Sequence, residues 1–330
     1  MVQSSKAKAG EHVYSPDVAV DNALRLIQSR IDDPHSGIRQ NIPGTSGLLT
    51  PWRIGELILI VGYTSNGKSS FANYIVTQHA YHLRSYRKEH PEYNHGIVYV
   101  TWEQAIEEQT IIDLSRVTAI PAGKIFKGEI TPEEMQKIKS IGAEDRKSLP
   151  IWLIGHSVMD DRRRTRYGME EVLESIIFLE EEANMQIDMI VLDYLQRIQR
   201  PKGVSDMREG FINVVDTAKD LALRCPVLLL SQAGRQVRTR QNSWQLPDLE
   251  DAQETSNAEQ SSDAFVSIWK PSQSGITKVS IPTSNGKVSY AVTPDTFVLG
   301  FLKQKNGPAP FYRVVRMGFG GTSMEQAEVA

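Results

Sequence analysis

The sequence predicts an α/β domain: a mostly parallel twisted sheet flanked by helices, with an antiparallel C-terminal extension and a separate helix on its N-terminal side. Three observations predict it. From residue 55, short apolar runs alternate with longer amphipathic stretches. A glycine-rich loop follows the first of those runs. After Phe265 the pattern turns β-rich, and residues 275–292 alternate around Asn285-Gly286, a pair suited to a hairpin turn.

Taken in order, residues 1–14 are small and polar and are expected to be a disordered tail. Ser15-Pro16-Asp17 reads as a helix start, with Ser15 as N-cap and Pro16 at the first position. The helix that follows sets Val18, Leu24, Ile27 and Ile31 on or near one face. Residues 33–54, rich in Gly, Pro, Ser and Thr, are expected to be a linker, so residues 15–54 form a linker helix and linker. The α/β domain itself is then expected over 55–319 and a second disordered tail over 320–330.

Within 55–319 the strands are expected at Leu57–Val61, Ile97–Thr101, Ile151–Ile154, Met189–Leu192, Val227–Leu230, Phe265–Trp269 and Phe297–Leu302. Continuous apolar runs bounded by turns suit strands covered on both faces. The intervening helices are expected at Ser69–His90, Glu103–Thr118, Pro132–Ile141, Met169–Asn184 and Arg208–Leu223, which completes a repeated β-α alternation.

A chain of 330 residues with 40% hydrophobic residues can build a core without disulfide or metal support. Its one cysteine, Cys225, forbids an intrachain disulfide and fits a reducing, cytoplasmic compartment. The formal net charge of −3 argues against a surface coated in positive charge, though a local basic groove is compatible with it. No apolar stretch approaches membrane-spanning length.

Gly62-Tyr63-Thr64-Ser65-Asn66-Gly67-Lys68-Ser69 matches G-x-x-x-x-G-K-[ST], with an apolar strand before it and a helix-forming stretch after it. The glycines let backbone N–H groups close on phosphate oxygens, the lysine neutralises the terminal phosphates, and the hydroxyl ligates magnesium. Gly62, Thr64, Ser65, Asn66, Gly67, Lys68, Ser69 and Ser70 are therefore candidate ATP-binding residues, with Ser69 also a Mg²⁺ ligand. Such a loop needs a carboxylate at the tip of another strand. Met189-Ile-Val-Leu-Asp193 supplies one, and Asp193 is the metal candidate. Val98-Tyr-Val-Thr-Trp-Glu103 supplies another, and Glu103 is the candidate to activate the attacking water. Gln232 ends a further strand and is a candidate γ-phosphate sensor.

This ordered set resembles the ATPase domain of DnaB-type replicative helicases, superfamily four of the RecA-like group of P-loop NTPases. Thr101-Trp-Glu103, Leu192-Asp193-Tyr194-Leu195-Gln196 and Ser231-Gln232 followed by Arg235 carry the resemblance most specifically. Ala258-Glu259-Gln260 through Asp263 and Lys303-Gln304-Lys305-Asn306-Gly307-Pro308 extend it. The resemblance makes residues 55–319 a RecA-like ATPase domain. It implies a hexameric ring with ATP sites between subunits and single-stranded DNA in the channel. It implies that Arg235 contributes to the nucleotide site and that the N-terminal helix docks on an adjacent protomer. It also implies that Lys303 and Lys305 reach a neighbour's ATP site, from one side of a strand.

Three departures stand out. The N-terminal helical domain of the bacterial enzymes is not represented. Lys305 stands where the family has an arginine finger, an arrangement closer to the lysine pair of RecA-type recombinases. Gln253-Glu254-Thr255-Ser256 replaces an Arg-Glu-Ser-Gly loop that contacts DNA. Two basic segments attached to site residues could compensate. One holds Arg197, Arg200, Lys202 and Arg208, the other Arg238 and Arg240.

The function expected is an ATP-driven ring motor on single-stranded DNA. Two other readings stay open: an ATP-dependent oligomeric scaffold or recruitment module of a mobile element or defence system that does not unwind DNA, and a recombinase-like filament.

Overall fold

The structure is a computed structural model describing residues 13–32, 37–160, 167–199, 206–234, 244–251, 256–283 and 286–329. Its strands are β1 (Leu57–Gly62), β2 (His95–Thr101), β3 (Ile151–Ile154), β4 (Gln186–Asp193), β5 (Val227–Gln232), β6 (Ala264–Trp269), β7 (Lys278–Thr283), β8 (Gly286–Ala291), β9 (Thr296–Lys303), β10 (Phe311–Met317) and β11 (Met324–Gln326). Its helices are α1 (Pro16–Asp32), α2 (Lys68–Glu89), α3 (Ile106–Thr118), α4 (Ala122–Phe126), α5 (Pro132–Lys137), α6 (Ala143–Ser148), α7 (Met169–Glu181), α8 (Met207–Ala222) and α9 (Ser256–Ser261).

Nine strands form one sheet in the order β11-β10-β9-β6-β1-β5-β4-β2-β3. The six from β6 to β3 are parallel, and β9, β10 and β11 add antiparallel to the β6 edge. Successive residues of β1 serve opposite faces, as the pleat requires. Leu57, Leu59 and Val61 join Val172 and Ile176 of α7 and Val214 and Ala218 of α8. Ile58 and Ile60 join Phe71, Ala72 and Ile75 of α2 on the other face. Burial on both sides explains why these strands read as unbroken apolar runs.

The expected strands are all present. The differences lie at the ends and after residue 300. Of the expected linker 33–54, residues 33–36 lie outside the described residues, and 37–54 do not behave as a linker: Ile38, Ile42 and Trp52 are buried in the core beside α2, and Ile38 bridges Trp52 through paired backbone hydrogen bonds. Gly/Pro-rich composition hid three apolar anchors. The segment expected as a disordered tail from residue 320 instead forms β11 on β10 and buries Ala327. Its apolar residues are too few to carry a periodic signal. Strand β10 is also an addition to the expected set, because arginines interrupt its apolar residues.

The helix expected over Pro132–Ile141 runs on through a π-helical turn at Ile138–Gly142 into α6. Helix α3 begins at Ile106, so Glu103 sits on the connector rather than in the helix. The hairpin β7–β8 pairs as expected around residues 284–285, which fall outside the described residues, as does the charge run 161–166. Helix α1 begins as expected, the backbone N–H of Val18 reaching the Ser15 hydroxyl at 3.4 Å. None of its residues is buried, and Val18, Leu24, Ile27 and Ile31 stand in solvent.

Candidate nucleotide site

The tips of β1, β2, β4 and β5 converge on a cavity of about 700 Å³. Thr64, Ser65, Gly67, Lys68, Ser69 and Ser70 form its floor, and Glu103, Asp193 and Gln232 border it. Gly67 turns with φ +89°, a left-handed conformation that favours glycine, and a Cβ there would lie 2.5 Å from the Phe297 ring. Helix α2 then starts at Lys68 and aims its N-terminal end at the cavity.

Lys68 is buried. Its ammonium donates to the carbonyl oxygens of Gly62 (3.1 Å) and Tyr63 (3.0 Å). Burial lowers its pKa to about 8, against the opposing pull of the Asp193 and Glu103 carboxylates. Lys68 thus sits charged at neutral pH on weak neutral acceptors that a phosphate can displace.

Asp193 is 5% exposed. Its Oδ2 accepts 2.7 Å from the hydroxyl of Tyr99, while its Oδ1 is buried with no hydrogen-bond partner. Burial pushes its carboxyl up, opposed by the Ser69 and Tyr99 hydroxyls and the Lys68 ammonium. An unpaired buried carboxylate oxygen is costly. A divalent cation between Asp193 and Ser69 would remove that cost, so the residues present fit such an ion. One carboxylate and one hydroxyl suit magnesium, which keeps most of its waters. Among the described residues no cluster of three or more His, Cys, Asp or Glu offers an alternative metal cage.

Gln232 donates from Nε2 to the Thr64 hydroxyl at 2.5 Å, which aims its amide across the phosphate loop. Glu103 is exposed at the cavity edge. Asn66 differs from the rest of its loop. Its side chain is buried away from the cavity, donating to Gln273 (2.9 Å) and accepting from the backbone N–H of Lys270 (2.8 Å), so it fastens the loop to the end of β6. Gly62 likewise lies behind the lining, where its carbonyl holds Lys68.

The two lysines are elsewhere. Lys303 donates to the Glu259 carbonyl at 3.0 Å, and Lys305 lies 3.5 Å from Asp263. Asp263 precedes β6 and pairs with the start of β1, so both lysines sit at the end of the sheet opposite the chain's own phosphate loop. They do not share one side of a strand: β9 ends at Lys303, and Lys305 lies in the turn beyond it.

Of the candidate DNA contacts, Arg197 and Arg208 are exposed. Arg197 donates to the Tyr194 hydroxyl at 3.2 Å and lies close enough to Glu103 to feel its charge. Arg200, Lys202, Arg235, Arg238 and Arg240, and the stretch 253–255, lie outside the described residues.

Several residues of the site were not legible in the sequence. Tyr99, behind the cavity wall, lay inside an apolar run, although a buried phenol needs a partner for its hydroxyl. Phe297, Met317 and the turn Gly318–Gly320 form an apolar wall beside the loop, with the Phe319 ring mostly exposed over it. Only the three-dimensional return of β9 and β10 brings them there.

A phosphate loop on β1, a carboxylate on the tip of β4 and a parallel sheet extended by antiparallel strands define a RecA-like core. The sequence profile of the family described as DnaB-like helicase C terminal domain matches residues 37–320. The chain belongs to that family. A solved structure described as an ATPase domain superposes with a TM-score of 0.73 at 16% identity, covering 94% of this chain and 99% of that one. A second, described as a DnaB-like replicative helicase and its interactions with primase, gives a TM-score of 0.71 at 15% identity, covering 93% of this chain and 67% of that one. No curated protein sequence matches. No described helix is long and apolar enough to cross a membrane.

Proposed function

We propose that the protein is an ATP-hydrolysing, ring-forming motor, a cytoplasmic hexamer acting on single-stranded DNA. The observation that carries the hydrolytic part is the orphaned Oδ1 of Asp193 beside Lys68 and Ser69. It is a place for a cation next to a place for phosphates. Asp193 and Ser69 would hold magnesium there, and it would supply charge screening for the phosphates. The chain's own residues do the rest. Backbone N–H groups of the loop and the start of α2 cradle the triphosphate, and Lys68 exchanges its two carbonyl acceptors for phosphate oxygens. Glu103, at the open edge, takes a proton from the attacking water. Gln232 reads the terminal phosphate from the Thr64 side. Positioning and fixed charge of this kind supply most of phosphoryl-transfer catalysis.

The ring reading is supported by two features that suit a neighbouring copy. Helix α1 leaves its apolar residues in solvent, with Ile31 64% exposed. Lys303 and Lys305 are held at the sheet end far from their own loop, where a neighbouring copy could receive them. The DNA reading is supported by the position of Arg197, three residues beyond Tyr194 and within electrostatic reach of Glu103.

A forked-DNA strand-displacement assay with ATP and Mg²⁺ tests the proposal. Displacement that Lys68→Ala abolishes is the expected result. ATP turnover without displacement at any salt concentration defeats the motor and leaves an ATP-dependent scaffold. Filaments in place of closed rings by electron microscopy favour the recombinase-like form.

A further inference from the structure

Between Asp193 and Arg197 the chain makes one tight turn, Leu195–Arg197, and Gln196 is its middle residue. Leu195 is fully buried and pins the turn in the core. The side chain of Gln196 reaches sideways to the tip of β5. Its Nε2 donates to the Ser231 hydroxyl at 3.1 Å. Its Oε1 accepts from the backbone N–H of Gln232, also at 3.1 Å. The β4–β5 ladder has already ended, its last pair being Leu192 with Leu229. Gln196 therefore replaces the missing ladder bonds at the place where the two strand tips diverge. Without it, the N–H of Gln232 would lose its partner, and a half-buried donor left unpaired is costly.

This position matters because of what leaves on either side. Gln232 projects its amide to Thr64 in the phosphate loop. Arg197 follows Gln196 directly and hydrogen-bonds Tyr194, whose ring lies 5.8 Å from the Lys68 ammonium. One amide thus ties together the root of Gln232 and the root of the basic segment.

We infer that Gln196 is a positioning residue: it fixes Gln232 against the phosphate loop and transmits its position to the segment beginning at Arg197. The inference rests on the nucleotide-hydrolysing reading of the site. A change in the Gln232–Thr64 contact when the terminal phosphate arrives or leaves moves the backbone of Gln232, and through Gln196 the turn that bears Arg197. The link through the Ser231 hydroxyl and the Gln232 backbone makes that motion a shared one.

A double-mutant cycle on the full chain tests it, with kcat and KM for ATP measured with and without oligo(dT). Gln196→Leu removes these bonds, including the longer one from Nε2 to the Gln232 carbonyl at 3.5 Å, at similar volume, and Gln196→Glu keeps the acceptor for the Gln232 N–H. Gln196→Leu should leave KM within about twofold, lower kcat about tenfold and reduce DNA stimulation to near unity. Gln196→Glu should recover part of kcat. Because Gln196 acts through Gln232, the double variant Gln196→Leu/Gln232→Ala should be no slower than Gln232→Ala alone, the non-additivity expected of coupled groups. Effects that multiply, or a Gln196→Leu variant with normal kcat and normal stimulation, overturn the inference and leave the hydrolytic reading standing. A wild-type chain that does not hydrolyse ATP overturns both.

Discussion

The hydroxyl of Tyr99 lies 2.7 Å from Oδ2 of Asp193, while the other oxygen of the same buried carboxylate has no hydrogen-bond partner. The phenol orients the carboxylate while contributing no charge. Tyr99→Phe keeps the packing and removes the bond. The buried carboxylate then loses the Tyr99 donor and keeps only the Ser69 hydroxyl, at a cost of about 1–3 kcal/mol. Thermal unfolding should show that loss without ligand, and the deficit should shrink on adding Mg²⁺ and ATP, because the cation then holds Asp193. An equal deficit with and without ligand would remove Tyr99 from the metal site.

The depressed pKa of Lys68 gives the site a pH signature. Triphosphate binding requires the ammonium. Below pH 8 the free protein already carries it, so affinity should be flat in that range. Above pH 8 the amine is increasingly neutral and binding must take up a proton, so affinity should fall, approaching tenfold per pH unit. The sign follows from burial disfavouring the charged form in the free protein and phosphate restoring it. Calorimetric titration of ATP from pH 6.5 to 9.5 checks this. Affinity that rises with pH, or stays level to pH 9.5, contradicts it.

Gly321 is held at φ +81°, and a Cβ there would lie 1.9 Å from the Ser70 carbonyl oxygen. Both the backbone and the space therefore exclude a side chain. Gly321→Ala should cost about 3 kcal/mol or more, lowering the melting temperature by roughly 5–10 °C. Because the same turn carries Phe319 over the cavity, KM for ATP should rise in the variant while kcat changes less. A variant with unchanged melting temperature and KM would mean that the turn is free to leave α2.

The separation of Lys303 and Lys305 from their own phosphate loop predicts complementation between copies. Lys68→Ala and Lys305→Ala should each hydrolyse ATP at a small fraction of the wild-type rate, with Lys305→Ala still binding nucleotide. Mixed together, they form some interfaces with an intact loop on one copy and an intact lysine on the next. ATPase activity of the mixture should exceed the sum of the parts several-fold. Strictly additive rates would place the lysines outside any shared site.

Much of this was legible in the sequence, for definite reasons. Strands buried on both faces appear as unbroken apolar runs, and their tips are where polar residues abruptly follow, which is how Asp193, Glu103 and Gln232 showed themselves. The phosphate loop was legible because a backbone cradle needs glycine at fixed spacing. The rest depended on returns of the chain from far away. Tyr99 looked like one more strand residue until β4 was set beside β2. Phe319 and Gly321 had no local signal, since Phe319 acts by lining a cavity built from distant strands and Gly321 by its close approach to Ser70, some 250 residues earlier in sequence. Asn66 sat inside a motif and was read by that motif, whereas its side chain serves Gln273 and Lys270 instead. Ile38 and Trp52 were hidden by neighbours typical of a linker.

If Lys68, Asp193 and Glu103 serve one hydrolytic event, Glu103→Gln separates nucleotide binding from turnover, with ATP binding and steady-state turnover measured on the same sample. The exchange removes a base from the cavity edge without touching the phosphate loop. ATP binding should stay within about threefold of wild type and turnover should fall about a hundredfold or more, within the range expected for loss of a general base. Turnover close to wild type, with binding intact, would remove Glu103 from the hydrolytic step.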